Sequence, residues 1–182
     1  MSKIILKEIK NLFEQSGMYI DNESIEKMPM IGVHHCHEWD HGYENWSGIN
    51  INTDGTYNTK CGYHGTRREF YADLRESMYF MLDFIKDNNL NEVIIAPCHR
   101  ISQFTYNADK NDIYIEIYQF LKSYQIRLNS QAGVRIPING NETIIEMVLE
   151  GAFRDVSNLC LFFPSKAVLL APNHHFDLPF FT

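Results

Sequence analysis

The stretch from Thr66 to Pro97 constrains this chain more than any other. Thr66 with Glu69 three residues later forms a capping box, and Phe70, Leu74, Met78, Met81 and Ile85 then fall on one helical face. The spacing predicts a helix to about Asn88. A helix of that length with an apolar stripe needs a surface to lie on, and the next segment supplies one. Val93, Ile94 and Ile95, closed by Pro97, read as a short buried strand, because β-branched side chains pack well on a pleated surface. Together the two imply a sheet with helices packed on it.

The remaining segments extend that picture. Ile5, Ile9, Leu12 and Phe13 recur at helical spacing and Gly17 stands where such a helix would stop. Ile31 to His37 reads as a strand with imidazoles on both faces, and Trp46 to Cys61 as a hairpin turning at Asp54-Gly55. Ile113, Ile117, Phe120, Leu121 and Tyr124 predict a further helix capped by Asp109 or Asp112. Val134 to Ile138, the pair Asn139-Gly140 and Thr143 to Leu149 are expected to form a second hairpin, although Ile145, Val148, Leu149 and Ala152 would also suit a helix. Val156, Leu159, Cys160 and Phe163 are spaced for a short helix capped by Asp155 and stopped by Pro164. Ala167 to Ala171 and His175 to Phe180 read as two last strands, turning at Pro172-Asn173.

With 182 residues, 45% of them hydrophobic, the chain can bury one sizeable core, and it has no repeat or linker at which to divide it. The expected fold is α+β, a single domain over residues 1–182 whose sheet, mixed or antiparallel, is built from hairpins with several packed helices. Lys3, Lys7, Glu8, Lys10 and Glu14 break up any secretory-signal pattern, and the apolar run around Leu159 to Ala171 is interrupted by Pro164, Ser165 and Lys166. Cys36, Cys61, Cys98 and Cys160 form no CxxC pair. These features lead us to expect reduced thiols, a cytoplasmic location and no membrane insertion. Asp plus Glu outnumber Lys plus Arg by 23 to 16, a balance that repels nucleic-acid backbones and attracts a basic partner.

Two constellations could carry chemistry. His34, His35, His37, His41 and His64 lie beside Cys36 and Cys61, and on a strand His35 and His37 would share a face, so His35, His37 and His64 are the candidate zinc or iron ligands. His174, His175 and Asp177 could join them only if the fold returns the terminus to this region. The bland alternative is a set of unrelated histidines in loops and strand faces, since no HExxH or paired CxxC context is present. Cys98 beside His99 reads as a structural thiol, because neighbours on an extended segment point oppositely. Arg67, Arg68 and Arg75 are interleaved with acids as on a solvated face, and Met78, Met81 and Phe84 read as core. No Gly-rich phosphate loop is present.

The second constellation runs from Glu38 to Asp54, with both tryptophans, four acids and no Lys or Arg. Aromatic side chains offer contact area at small entropy loss, and carboxylates around them orient a cationic partner. Glu38, Trp39, Asp40, Tyr43, Glu44, Trp46 and Asp54 are therefore the candidate partner-binding residues, the competing reading being that Trp39 and Trp46 anchor a core.

The segment Trp46-Ser47-Gly48-Ile49-Asn50-Ile51-Asn52-Thr53-Asp54-Gly55-Thr56-Tyr57 and the closing Phe162-Phe163-Pro164-Ser165-Lys166-Ala167-Val168-Leu169-Leu170, with the chain's length and acidity, resemble bacterial immunity proteins of polymorphic and contact-dependent toxin systems. The resemblance covers the central hairpin and the last quarter of the chain. It implies a non-enzymatic cytoplasmic protein, without a cofactor, that binds a cognate toxin domain, often a basic nuclease, and blocks its active site. The alternative from another class is a small metal-dependent hydrolase built on the histidines, with zinc-bound water as nucleophile.

Overall fold

A computed structural model describes residues 1–15, 30–35, 50–51, 56–58, 64–97, 111–126, 132–154, 156–157, 159–172 and 177–181. In chain order the elements are β1 (Ser2–Ile5), α1 (Leu6–Gln15), β2 (Met30–His35), β3 (Asn50–Ile51), β4 (Thr56–Asn58), β5 (His64–Thr66), α2 (Arg67–Asp87), β6 (Glu92–Pro97), α3 (Asn111–Ser123), β7 (Ala132–Pro137), α4 (Glu142–Phe153), β8 (Leu159–Phe163), β9 (Val168–Leu170) and β10 (Asp177–Phe181). The fold is α+β. Among the described residues its main sheet has seven strands in the order β1-β7-β6-β8-β9-β10-β2, and every pairing between them is antiparallel. A second sheet, β3-β4-β5, is also antiparallel, and it contains the expected central hairpin in the register Asn50↔Asn58, Ile51↔Tyr57.

Alternation along β6 divides the interior into two layers. Val93 and Ile95 face a large core with Leu74, Met81, Ile117, Ile145, Leu149 and Phe153, so α2, α3 and α4 cover that side. Ile94 and Ala96 face the other side, with Ile4, Ile9, Cys160, Phe162 and Leu169, where α1 packs. The stripe predicted for α2 is buried at Leu74, Met78, Met81 and Ile85, while Arg68 and Arg75 are exposed, as expected of a solvated face. Phe84 lies edge-on to Phe163 and tilted against Phe180, bringing α2 onto β8 and β10.

Two predicted elements are corrected. Thr143 to Leu149 is not the return strand of a hairpin but part of α4. The turn pair is spent differently: Gly140 takes φ +78°, its N–H donates to the Glu142 carboxylate at 3.1 Å, and the chain enters a helix. Once helical, Ile145, Val148, Leu149 and Ala152 all fall on the buried face. Leu159 to Phe163, expected as helix, is strand β8. It lies between β6 and β9, so all five side chains are buried and the period of two disappears. Ile5, assigned to the first helix, belongs instead to the edge strand β1 and is half exposed.

Helix ends show local chemistry that the apolar pattern does not carry. Asn89 and Gln125 adopt φ of 52° and 56°, and the following N–H groups of Leu90 and Ile126 donate back to Ile85 and Leu121 at 2.9 and 3.0 Å. This is the six-to-one closure of a left-handed helix cap, completed by burial of Leu90 and Ile126. At Gly133 on β7 the backbone passes so close to β6 that a Cβ would stand 2.5 Å from the Ile95 carbonyl oxygen.

Candidate functional site

The most concentrated polar chemistry among the described side chains lies where α2, α3 and α4 meet. Arg154 follows the last turn of α4 and is 1% exposed, the only fully buried ionisable side chain among the described residues. Its guanidinium reaches α3 in a fork, Nη1 donating to Asp112 Oδ2 at 3.0 Å and Nη2 to Asp112 Oδ1 at 2.9 Å. Nη1 also donates to Glu150 Oε1 one turn back at 2.9 Å, and the Tyr71 hydroxyl of α2 donates to the same oxygen at 3.0 Å. Four side chains thus tie three helices together. Arginine suits this position because its planar fork matches a carboxylate edge, and its charge lies at the negative end of the α4 dipole. Asp112 lies in the first turn of α3, where a carboxylate also meets the helix dipole favourably.

The network shifts its members in opposite directions. Burial alone would push the Asp112 carboxyl up, but the hydrogen bonds and charge of Arg154, with a backbone hydrogen bond at Ile113, hold it below the usual carboxylate range. Burial likewise works against the Arg154 charge, and Asp112 and Glu150 more than restore it. Glu116, one turn along α3 from Asp112, is pushed up, first by partial burial and then by the negative charges of Glu150, Glu146 and Asp112. Of these four carboxylates, Asp112 and Glu150 bond to Arg154. Asp112 keeps 60% of its side chain exposed and Glu116 is exposed, so the excess negative charge faces outward. Beside it on α3, Ile115 and Tyr118 are 40% and 39% exposed, and the Lys122 ammonium lies 5.8 Å from the Tyr118 ring centre.

The arrangement joins helices and presents an anionic, partly apolar surface. Among the described residues no group of three or more His, Cys, Asp or Glu is placed to hold a metal ion. In the sequence the Arg154 junction is not evident: Asp112 reads only as a helix cap, and the visible signal is the i,i+4 series Glu146, Glu150, Arg154 ending an apolar helix.

The predicted site residues fall differently. Glu38, Trp39, Asp40, Tyr43, Glu44, Trp46 and Asp54 lie outside the described residues, as do His37, His41, His174 and His175. His35 ends β2 in the main sheet, in register with Asp177 of β10, whereas His64 begins β5 in the second sheet, in register with Asn58. Cys36, Cys61 and Cys98 also lie outside the described residues. Cys160 is disulfide-bonded, which corrects the expectation of reduced thiols at that position. Folding decides such a pairing, because it brings cysteines widely separated in sequence within bonding distance. Such bonds persist chiefly in oxidising surroundings.

No family model, no curated protein and no solved structure matches the chain. No described helix is long and apolar enough to cross a membrane.

Proposed function

We propose that this chain is a non-enzymatic binding protein for a basic protein partner, an immunity protein that occupies a toxin domain, a basic nuclease, and blocks its active site. The observation that carries the reading is the carboxylate face of α3 and α4, where Asp112 and Glu150 hold Arg154 and Glu116 lies among the charges of Glu150, Glu146 and Asp112. Partial burial, and then repulsion from Glu150, Glu146 and Asp112, raises the Glu116 carboxyl, so a Lys or Arg brought against this face would offset the like-charge part of that shift. Ile115 and Tyr118 alongside supply apolar and aromatic contact area, the combination that anchors protein interfaces. The net charge of −7 adds long-range attraction for the same partner. A cytoplasmic location belongs to this reading.

The test begins with the coding sequence immediately upstream, expected to encode a large secreted protein with a toxic C-terminal region. Co-expression of the two should restore growth, and the purified proteins should associate with a rate that falls as salt is added. The double variant Glu116→Lys with Glu146→Lys leaves the Arg154 bonds intact and should slow association by about tenfold at low salt, with little effect at high salt. No binding by the unaltered protein would end the immunity reading, and an unchanged rate in the variant would remove this face from it.

A further inference from the structure

The turn that carries β7 into α4 holds the pair Asn139-Gly140, and no other asparagine of the chain precedes a glycine. The Asn141 N–H closes this turn by donating to the Ile138 carbonyl at 2.8 Å, and Gly140 takes its third position at φ +78°, a conformation that favours glycine. Asn139 and Gly140 are both exposed, and a Cβ at Gly140 would meet nothing within 4 Å. An amide nitrogen followed by no side chain, in open space, can close on the carboxamide of the residue before it. The Asn141 carboxamide is tied to the Pro137 carbonyl at 3.0 Å and that of Asn88 to the Phe84 carbonyl at 2.9 Å, whereas among the described residues no hydrogen bond holds the Asn139 carboxamide. The Gly140 N–H itself donates to the Glu142 carboxylate at 3.1 Å. Hydrogen bonds from its own N–H and then from that of Gly140 hold the Glu142 carboxyl below the usual range, so it is ionised at neutral pH.

We propose that Asn139 is a self-modification site guarded by Glu142. The Gly140 backbone nitrogen attacks the side-chain carbonyl carbon of Asn139. A new C–N bond forms, the bond from that carbon to Nδ2 breaks, and the Gly140 amide proton leaves with Nδ2 as ammonia. Water then opens the cyclic imide. Attack at the side-chain carbonyl gives aspartate, and attack at the main-chain carbonyl gives isoaspartate, whose chain continues through the former side chain. Water is the co-reactant and nothing is oxidised or reduced. Glu142 opposes the first step in two ways: its hydrogen bond must be released before the amide nitrogen can turn onto the carboxamide, and its charge disfavours the amide anion that attacks. As a base it contributes little, because a carboxyl that titrates in the acid range is poorly matched to an amide proton. Either product adds a carboxylate beside the start of α4, and isoaspartate also lengthens the main chain between β7 and α4. The proposal does not depend on the basic-partner reading.

The experiment incubates the folded full-length protein at mildly alkaline pH and follows the peptide containing Asn139 by mass spectrometry, with isoaspartate identified by labelling with an isoaspartyl methyltransferase. Conversion is expected at Asn139 ahead of every other asparagine, with isoaspartate exceeding aspartate and no conversion at this position in Asn139→Gln. Glu142→Ala should convert about fivefold faster than the unaltered protein, the effect of releasing one hydrogen bond. Unfolding would also speed conversion, so both proteins are compared again in concentrated urea, where the Glu142 contact is absent and the two rates should coincide. Glu142→Gln keeps an acceptor oxygen without the charge; its rate should fall between the two, and it replaces Glu142→Ala where circular dichroism shows that variant unfolded. Conversion of another asparagine before Asn139, no conversion at Asn139 in the folded protein, an unchanged or slower rate in the folded Glu142 variants, or a difference that persists in urea would each overturn the proposal.

Discussion

The Arg154 junction and the β2/β10 edge both pair groups that are far apart in sequence, yet they do so under different physical conditions. At the junction a guanidinium is almost fully removed from water and its carboxylate partners come from α3 and α4. At the edge His35 and Asp177 are register partners on the last two strands of the sheet, where β2 ends the strand order among the described residues. The difference teaches where the fold depends on side-chain charge and where backbone pairing suffices. A charge buried between helices must keep its partners or the packed layer fails, because desolvation is no longer compensated. A register pair at a sheet margin carries less of that burden, because the pairing there is made by the backbone.

This contrast can be broken most directly at Arg154. Arg154→Met should destabilise the fold by about 3 kcal/mol, since it leaves Glu150 and part of Asp112 without their buried donor. Asp177→Asn should stay within about 0.5 kcal/mol. Urea denaturation of the two variants measures both, and equal losses would abolish the distinction between junction and edge.

A smaller effect distinguishes the two carboxylates of α3. The Asp112 carboxyl titrates lower in the folded protein than in the unfolded chain, so its contribution is present above its ordinary value of 3.8 and is lost as pH falls through the lower folded value. Asp112→Asn should cost about 1 kcal/mol at neutral pH and progressively less on acidification, because its other half faces solvent. A pH series of denaturation midpoints checks the slope; a penalty that grows toward low pH would contradict the assignment of Asp112 to the Arg154 fork.

The smallest effect has the opposite sign. The Glu116 carboxyl titrates higher when folded, so its relative stabilisation is present below its ordinary value of 4.5 and is lost as pH rises through the folded value. Glu116→Gln should therefore stabilise the isolated protein at neutral pH by up to about 0.5 kcal/mol, the size expected for relief of like-charge neighbours on a helix. The same variant should weaken association with a basic partner. Destabilisation by Glu116→Gln at pH 7 would show that the carboxylates of α3 and α4 do not repel as their arrangement implies.

Much of the helical framework was legible because periodicity is a local property. The apolar stripes of α2 and α3 follow from side chains three and four positions apart, and β6 from a β-branched run that ends at proline. The same reasoning failed at β8, where burial on both faces erased alternation and left residues that fit helical spacing by coincidence. It failed again at α4, where Asn139-Gly140 signalled a hairpin and the protein uses the positive φ of Gly140 to enter a helix. The candidate sites divide similarly. Histidine enrichment was plain in the sequence, but the opposition of His35 to Asp177 was not, since it depends on β10 returning to the edge of the sheet. Arg154 gave no sign of burial beyond its i,i+4 carboxylate, because Asp112 lies 42 positions away.

By itself, then, the sequence determined that the chain would build an α+β fold, which segments would form most of its helices, and that it carries a net charge of −7. Those properties depend on neighbours along the chain or on sums over it. Tertiary structure alone decided the order of the seven strands, the disulfide bond at Cys160, the helix that each Arg154 hydrogen bond reaches, and the meeting of the last strand with His35. Each of these requires closing a long loop, and the free energy that selects one closure over another comes from the burial and pairing of residues that have no local relation to each other.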